Sequence, residues 1–243
     1  MNLLVDMGNT RLKWALTTAG QLISGAPLPN SRLNRNELIK LWRSRYRPRR
    51  VVISCTSSNQ SLELVQTVAR ELWLDIEIIL VKARAQGYGV TNAYQQPEKL
   101  GVDRWLSLVA VWQCYHRPAC IVDCGTAITV DLIDAEGRHQ GGLICPGLTL
   151  MKTSLSQGTQ ALTFTETSHL FKPANFTEGA IYSGTLAAAV GLVQHIHAKQ
   201  PANTELILTG GDAELIARQL SLACLVDPQL VLRGLLCVLE GHA

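Results

Sequence analysis

The sequence predicts a mixed α/β chain built from two related halves. An apolar run closes on Asp-x-Gly at Leu4-Val5-Asp6-Met7-Gly8-Asn9-Thr10, and the pattern returns half a chain later at Ile121-Val122-Asp123-Cys124-Gly125-Thr126-Ala127. Each half opens with three strand-like runs joined by short turns, after which helical and extended patterns alternate; that order disfavours an all-parallel doubly wound sheet. With 243 residues, 47% of them apolar, the chain can build one large or two small domains with real cores. Two turns each carrying one carboxylate and backed by glycine suit a metal–nucleotide held between the halves.

Taken in order, residues 2–6 read as a buried strand ending in the first turn, and 10–16 and 21–24 as strands joined through Thr18-Ala19-Gly20. Residues 34–46 read as a helix, followed by Pro48 and a strand over 51–54. A helix over 61–73 and a strand over 76–81 follow. A loop rich in Gly, Asn, Gln and Pro covers 85–97, and Pro97 is expected to open one long helix to about residue 115. The second half begins with strands over 120–123, 127–133 and 141–144. Pro146 opens a helix to about 156, and a polar stretch precedes a helix from 178 to about 199. A strand over 205–208 ends in Thr209-Gly210-Gly211-Asp212. A helix over 213–220, a short strand over 224–226 and a last helix complete the chain. With no low-complexity linker present, the expected domains are 1–117 and 118–243.

The formal charge of +3 is too small to imply a nucleic-acid partner. Seven cysteines (55, 114, 120, 124, 145, 224, 237), with no CxxC among them, indicate neither a zinc site nor a redox motif. They read as small core residues in a reducing compartment. The N-terminus opens directly into a strand-like run without a basic leader, so a cytoplasmic protein is expected. Residues 179–193 are nearly uncharged, but as a helix they reach only about 22 Å, short of the ~30 Å core of a bilayer. Small residues at helical spacing there mark a buried helix, and no membrane partner is expected.

In Asp6-Met7-Gly8-Asn9-Thr10-Arg11-Leu12-Lys13, Asp6 stands at a strand end where it can hold a hydrated cation. Gly8 lets backbone N–H groups approach phosphate oxygens, and Lys13 adds positive charge. An ordinary hairpin turn is the plain alternative, weakened by the second Asp-x-Gly-Thr turn. No GxxxxGK[ST], GxGxxG or GxSxG is present. From Leu100 to Cys114 the pattern is apolar nearly all round, with Asp103 and Arg104 its only charges. Buried charges are costly unless paired or used. Asp103 can serve as general base toward a hydroxyl and Arg104 as a fork for a carboxylate, or the two form a structural ion pair. Gly141-Gly142 to Gly147 and Thr209-Gly210-Gly211-Asp212 fit either nucleotide contacts or tight turns. The run Arg43, Arg45, Arg47, Arg49 and Arg50 reads as a solvated surface. His195 and His197 stand on different helical faces and do not suit a metal. Trp42, Trp73, Trp105 and Trp112 read as core.

Taken together, Asp6-x-Gly-Asn-Thr-x-x-Lys13, Gly101-x-Asp-Arg104, Asp123-x-Gly-Thr-Ala127 with Thr129 and Asp131, and Gly141-Gly-x-Ile-x-Pro-Gly147 resemble type III pantothenate kinase, of the acetate and sugar kinase/Hsc70/actin superfamily, across essentially the whole chain. The resemblance implies two ribonuclease-H-like halves, each a mixed sheet flanked by helices, with nucleotide in the cleft between them. It implies ATP-dependent phosphorylation of pantothenate, the first step of coenzyme A synthesis, by a cytoplasmic homodimer. Residue by residue, Asp6, Met7, Gly8, Asn9, Thr10, Arg11, Leu12 and Lys13 would embrace the ATP phosphates, Asp6 with magnesium, and Thr126 would contact ATP. Asp103 would be the base. Tyr94, Gly101, Val102, Asp103 and Arg104 would line the pantothenate pocket, and Asp123 would hold potassium or ammonium. Thr177 would reach pantothenate from the partner subunit, with Thr185 as its competitor. Ile128 stands where a second threonine is often found. The alternatives are a kinase for another small alcohol, or a non-catalytic regulatory protein of the same fold.

Overall fold

A computed structural model describes residues 1–43, 47–158 and 167–241. The chain forms two compact units: residues 1–116 with 137–139 and 229–243, and residues 117–136 with 140–228.

In the first unit β1 (Asn2–Met7), β2 (Arg11–Thr18) and β3 (Gln21–Ser24) form an antiparallel meander, and the two-residue β4 (Leu28–Pro29) adds to β2. Helix α1 (Arg35–Trp42) leads to β5 (Arg50–Cys55), then α2 (Asn59–Leu72) and β6 (Glu77–Leu80). Strands β5 and β6 join in parallel, giving the order β3-β2-β1-β5-β6. Side chains alternate across β1. Leu3, Val5 and Met7 pack with Leu12, Val51 and Ile53 against Leu38 and Trp42 of α1 and Val65, Val68 and Ala69 of α2. Asn34 and Ser58 cap these helices, accepting from the N–H groups of Glu37 and Ser61 at 3.0 and 3.2 Å. A small hairpin, β7 (Gln86–Gly87) with β8 (Val90–Thr91), precedes α3 (Val102–Tyr115).

In the second unit β9 (Ala119–Cys124), β10 (Ala127–Ile133) and β11 (His139–Pro146) precede α4 (Leu148–Gly158) and α5 (Thr177–His197). They are followed by β12 (Glu205–Thr209), α6 (Ala213–Ala217) and β13 (Leu225–Val226). The sheet order β11-β10-β9-β12-β13 repeats that of the first unit, antiparallel on one side of the central strand and parallel on the other. Cys120, Val122, Cys124, Ile128 and Val130 pack on Tyr182, Leu186, Ala189, Val190 and Val193 of α5. The repeated order is the topology behind the two similar Asp-x-Gly turns, and the fold is the expected α/β one with two mixed sheets flanked by helices.

Three expectations change. The last helix, α7 (Leu230–Glu240), belongs to the first unit rather than to domain 118–243, packing on α3, β1 and β5. Gly234 permits this: a Cβ there would lie 2.2 Å from the Leu106 carbonyl oxygen, so α7 meets α3 backbone to backbone. Nor does Pro97 open one long helix. Pro97–Lys99 is a single 3-10 turn, and Leu100 (φ −65°, ψ 130°) and Gly101 (φ −52°, ψ 133°) are extended before α3 begins. The break makes Asp103 and Arg104 first-turn residues of α3. The expected helix over 34–46 ends at Trp42, and its residues 44–46 lie outside the described residues.

Candidate functional site

Asp6 is 7% exposed, on the sheet face that α3 and α7 cover. Its register partners are Lys13 on β2 and Ser54 on β5. Directly opposed residues of an antiparallel pair have Cβ atoms about 5 Å apart, so a cationic side chain stands beside this carboxylate. Met7 and Leu12 alternate to the other face and are buried in the apolar core. Of residues 6–13, these two therefore offer a ligand only their backbone. The turn is more tightly tied than its sequence indicated. The Gly8 N–H donates to the Arg11 carbonyl at 3.2 Å, so that amide is engaged within the turn. Asn30, which sequence reasoning missed, donates from Nδ2 to the carbonyls of Gly8 and Asn9 at 2.9 and 2.8 Å and from its N–H to that of Thr10 at 2.8 Å. Thr56 donates its N–H to the Met7 carbonyl at 3.0 Å. With those carbonyls turned inward, the side chains of Asn9, Thr10 and Arg11 are exposed.

The N-terminus of α3 gathers a second cluster in the same unit. Arg104 is only 6% exposed; its Nη1 donates to the Tyr94 hydroxyl at 2.7 Å, and its guanidinium carbon lies 5.5 Å from the Tyr94 ring centroid. Asp103 Oδ1 accepts from the Arg104 N–H at 2.8 Å, fixing one carboxylate oxygen at the helix start. A Cβ on Gly101 would lie 2.6 Å from that same oxygen. Asn92 shapes the loop carrying Tyr94: Nδ2 donates to the carbonyls of Arg84 and Pro97, both at 3.1 Å, and Oδ1 accepts from the Tyr94 N–H at 3.0 Å. Tyr94, Gly101, Val102, Asp103 and Arg104 thus form one local cluster, to which the structure adds Asn92.

In the second unit Asp123 is half-buried at the end of β9, on the face opposite the α5 core, between Thr129 of β10 and Thr209 of β12. The Thr209-Gly210-Gly211-Asp212 turn lies against it. Gly210 has φ +97°, and a Cβ there would fall 2.5 Å from Asp123 Oδ1. The Asp212 N–H donates to the Cys124 carbonyl at 3.0 Å. Burial pushes the Cys124 thiol far up, and the charges of Asp123 and Asp212 add to the shift. A half-buried carboxylate flanked by two threonines and backed by a glycine that a side chain would fill is a donor set a cation fits. Thr126 is exposed in the turn. Thr177 is exposed as the first residue of α5, whereas Thr185 is buried and donates within its helix to Ile181 and Tyr182 at 2.9 and 3.1 Å.

The residues read as unremarkable stay so. Arg50 pairs with Glu77 at 2.8 Å, Arg47 donates to the Leu74 carbonyl, and Arg43 and Arg49 are exposed; Arg45 lies outside the described residues. His197 Nε2 lies 3.0 Å from the Thr204 carbonyl. Trp42, Trp73 and Trp105 are buried and Trp112 half-buried. Among the described residues no three His, Cys, Asp or Glu side chains converge as a metal cluster, and no helix is long and apolar enough to cross a membrane.

A profile of the type III pantothenate kinases matches residues 2–199. A type III pantothenate kinase of Nitrosococcus oceani is 37% identical over 97% of this chain and 92% of its own length. One from Halorhodospira halophila is 37% identical over 97% and 96%. A solved structure from Campylobacter jejuni, described as a candidate Baf family transcriptional activator, superposes over 99% of this chain and 98% of its own with a TM-score of 0.63 at 22% identity, a likeness of fold alone.

Proposed function

The chain belongs to the type III pantothenate kinase family, and we infer that it transfers the γ-phosphate of ATP to the terminal hydroxyl of pantothenate, forming 4'-phosphopantothenate for coenzyme A synthesis, with Asp103 as the general base. The observation that carries the residue assignment is the α3 N-terminus, where a buried Arg104 held by Tyr94 stands next to Asp103.

Pantothenate has a carboxylate at one end and a primary hydroxyl at the other. Arg104 takes the carboxylate, because a planar guanidinium already fixed by Tyr94 spends little further ordering on binding it. Asp103 accepts the hydroxyl proton as that oxygen attacks the γ-phosphorus and the bond to the ADP oxygen breaks. Such a base typically contributes about 10²–10⁴-fold. Phosphoryl transfer needs positioning and charge neutralisation more than a covalent nucleophile. Lys13 and the exposed Asn9, Thr10 and Arg11 of the first turn serve the phosphates, while Gly8 closes the turn and Met7 and Leu12 anchor it in the core. Asp6 would hold the magnesium ion that accompanies ATP, which neutralises phosphate charge when bound. In the second unit Thr126 contacts ATP and Asp123 holds a potassium or ammonium ion, with Gly210 leaving room at its carboxylate.

The active form is a homodimer in which Thr177 of one copy reaches pantothenate in the other. Leu143 and Ile144 of β11, Leu150 and Leu155 of α4, and Leu170, Phe171 and Phe176 leading into α5 are exposed apolar side chains that support such an interface. The free thiols of all seven cysteines support a reducing, cytoplasmic setting. The test is to incubate the protein with ATP, magnesium, potassium and pantothenate and to follow ADP and phosphopantothenate. Both are expected in equal amounts, and folded protein that forms neither overturns the assignment.

A further inference from the structure

His139 takes part in no step described above, yet it is 3% exposed and reaches the Tyr94 loop from the start of β11. Its backbone neighbours are fixed there: the Thr91 N–H donates to the Gly137 carbonyl at 3.0 Å, and Thr91 bridges to Arg138. The His139 ring stacks on the Tyr94 ring, with centroids 6.1 Å apart and planes inclined by 17°. Its Nδ1 accepts from the Ala93 N–H at 3.4 Å. Tyr94 passes the constraint on, because its hydroxyl accepts from Arg104.

We propose that His139 is a positioning residue for the acceptor substrate: it holds the Tyr94 ring flat, and Tyr94 holds the Arg104 guanidinium that takes the substrate carboxylate. The proposal rests on the reading of Arg104 as the carboxylate site. The stack is the larger constraint, since the Nδ1 bond is long, whereas the two rings lie near-parallel and Arg104 lies over the same Tyr94 side chain. Removing it frees Tyr94 to turn, and an unanchored arginine must be ordered by the substrate at each binding event. An aromatic pair of this kind is worth about 2- to 12-fold in an equilibrium.

The experiment measures KM for pantothenate, KM for ATP, kcat and thermal midpoint in wild type, His139→Ala, His139→Phe, His139→Gln and Arg104→Gln. Pantothenate KM should rise about 2- to 12-fold in His139→Ala and His139→Gln, with ATP KM and kcat within twofold of wild type. His139→Phe, which keeps the stack and loses only the nitrogen, should restore pantothenate KM. A merely structural role would instead lower the thermal midpoint and shift both KM values together. If the alanine variant does not fold, the glutamine and phenylalanine variants make the same comparison. An unchanged pantothenate KM in the alanine or glutamine variant beside a raised one in Arg104→Gln overturns the role of His139 alone. A phenylalanine variant as impaired as the glutamine variant overturns it as well. An unchanged KM in Arg104→Gln overturns the carboxylate reading beneath it.

Discussion

Gly101→Ala separates activity from stability at the proposed base. Gly101 has φ −52° and ψ 133°, a conformation alanine adopts freely, so the backbone is not strained by the change. The new methyl group would meet Asp103 Oδ1 at 2.6 Å, a distance real Cβ atoms essentially never show, whereas ordinary contact begins near 3.4 Å. The carboxylate must recede by about 0.8 Å to reach that contact distance. It is the end of a short side chain and can do so cheaply. We expect a stability change within about 0.5 kcal/mol, as for a substitution that creates neither a cavity nor an orphaned group. The displaced oxygen is the one that accepts from the Arg104 N–H, so the shift also turns Asp103 away from its set orientation. A misplacement near 1 Å costs about 10²-fold in rate. The assay pairs coupled-enzyme kcat with a thermal melt. A kcat ten- to hundredfold down with an unchanged melt is expected, and a kcat within twofold of wild type refutes the reasoning.

Three further outcomes follow from the geometry. Thr177→Ala should raise pantothenate KM while Thr185→Ala leaves it unchanged, because the Thr185 hydroxyl is occupied within α5; the reverse in steady-state assays contradicts the assignment. Gly210→Ala should abolish activation by potassium while leaving ATP KM much less affected, since its Cβ would lie 2.5 Å from Asp123 Oδ1 and φ is +97°; a normal potassium titration would count against a cation at Asp123. Burial pushes the Cys120 thiol from 9.0 up to about 12, with the Asp131 charge adding to the shift. The unfolded chain therefore loses this proton first, so the associated stability is whole below about pH 9 and declines as pH rises toward 12. Urea midpoints should fall less steeply over that range in Cys120→Ala than in wild type, and identical slopes contradict the prediction.

Much of the architecture was legible because it is written in short-range pattern. Apolar runs that stop at Asp-x-Gly located the central strand of each sheet, and Asp103-Arg104 stood out as the only charges in an apolar stretch. What was not legible depends on closure over long separations. Asn30 looks like an ordinary loop residue until the chain returns it to the Gly8–Thr10 turn, 22 residues from Gly8. Gly210 has its significance only because β12 lies beside β9 and brings it to Asp123. The apolar pattern of α7 shows that it is buried, but not against which sheet; Gly234 settles that by meeting Leu106. Pro97 was a true helix-start signal, but what it starts is one 3-10 turn, and the extended Leu100 and Gly101 place the charges at a fresh helix N-terminus. His139 opens β11 with nothing in its sequence to distinguish it, and only the stack on Tyr94 does so.

The most direct test of the account is the single-turnover rate of phosphopantothenate formation by Asp103→Asn, measured with saturating ATP and pantothenate beside nucleotide binding and a thermal melt. Asparagine keeps the size of the side chain and an oxygen able to accept from the Arg104 N–H, but it cannot take the hydroxyl proton. The account predicts a folded protein that binds ATP as wild type does and transfers phosphate about 10²–10⁴-fold more slowly. A transfer rate within a few-fold of wild type would contradict Asp103 as the base.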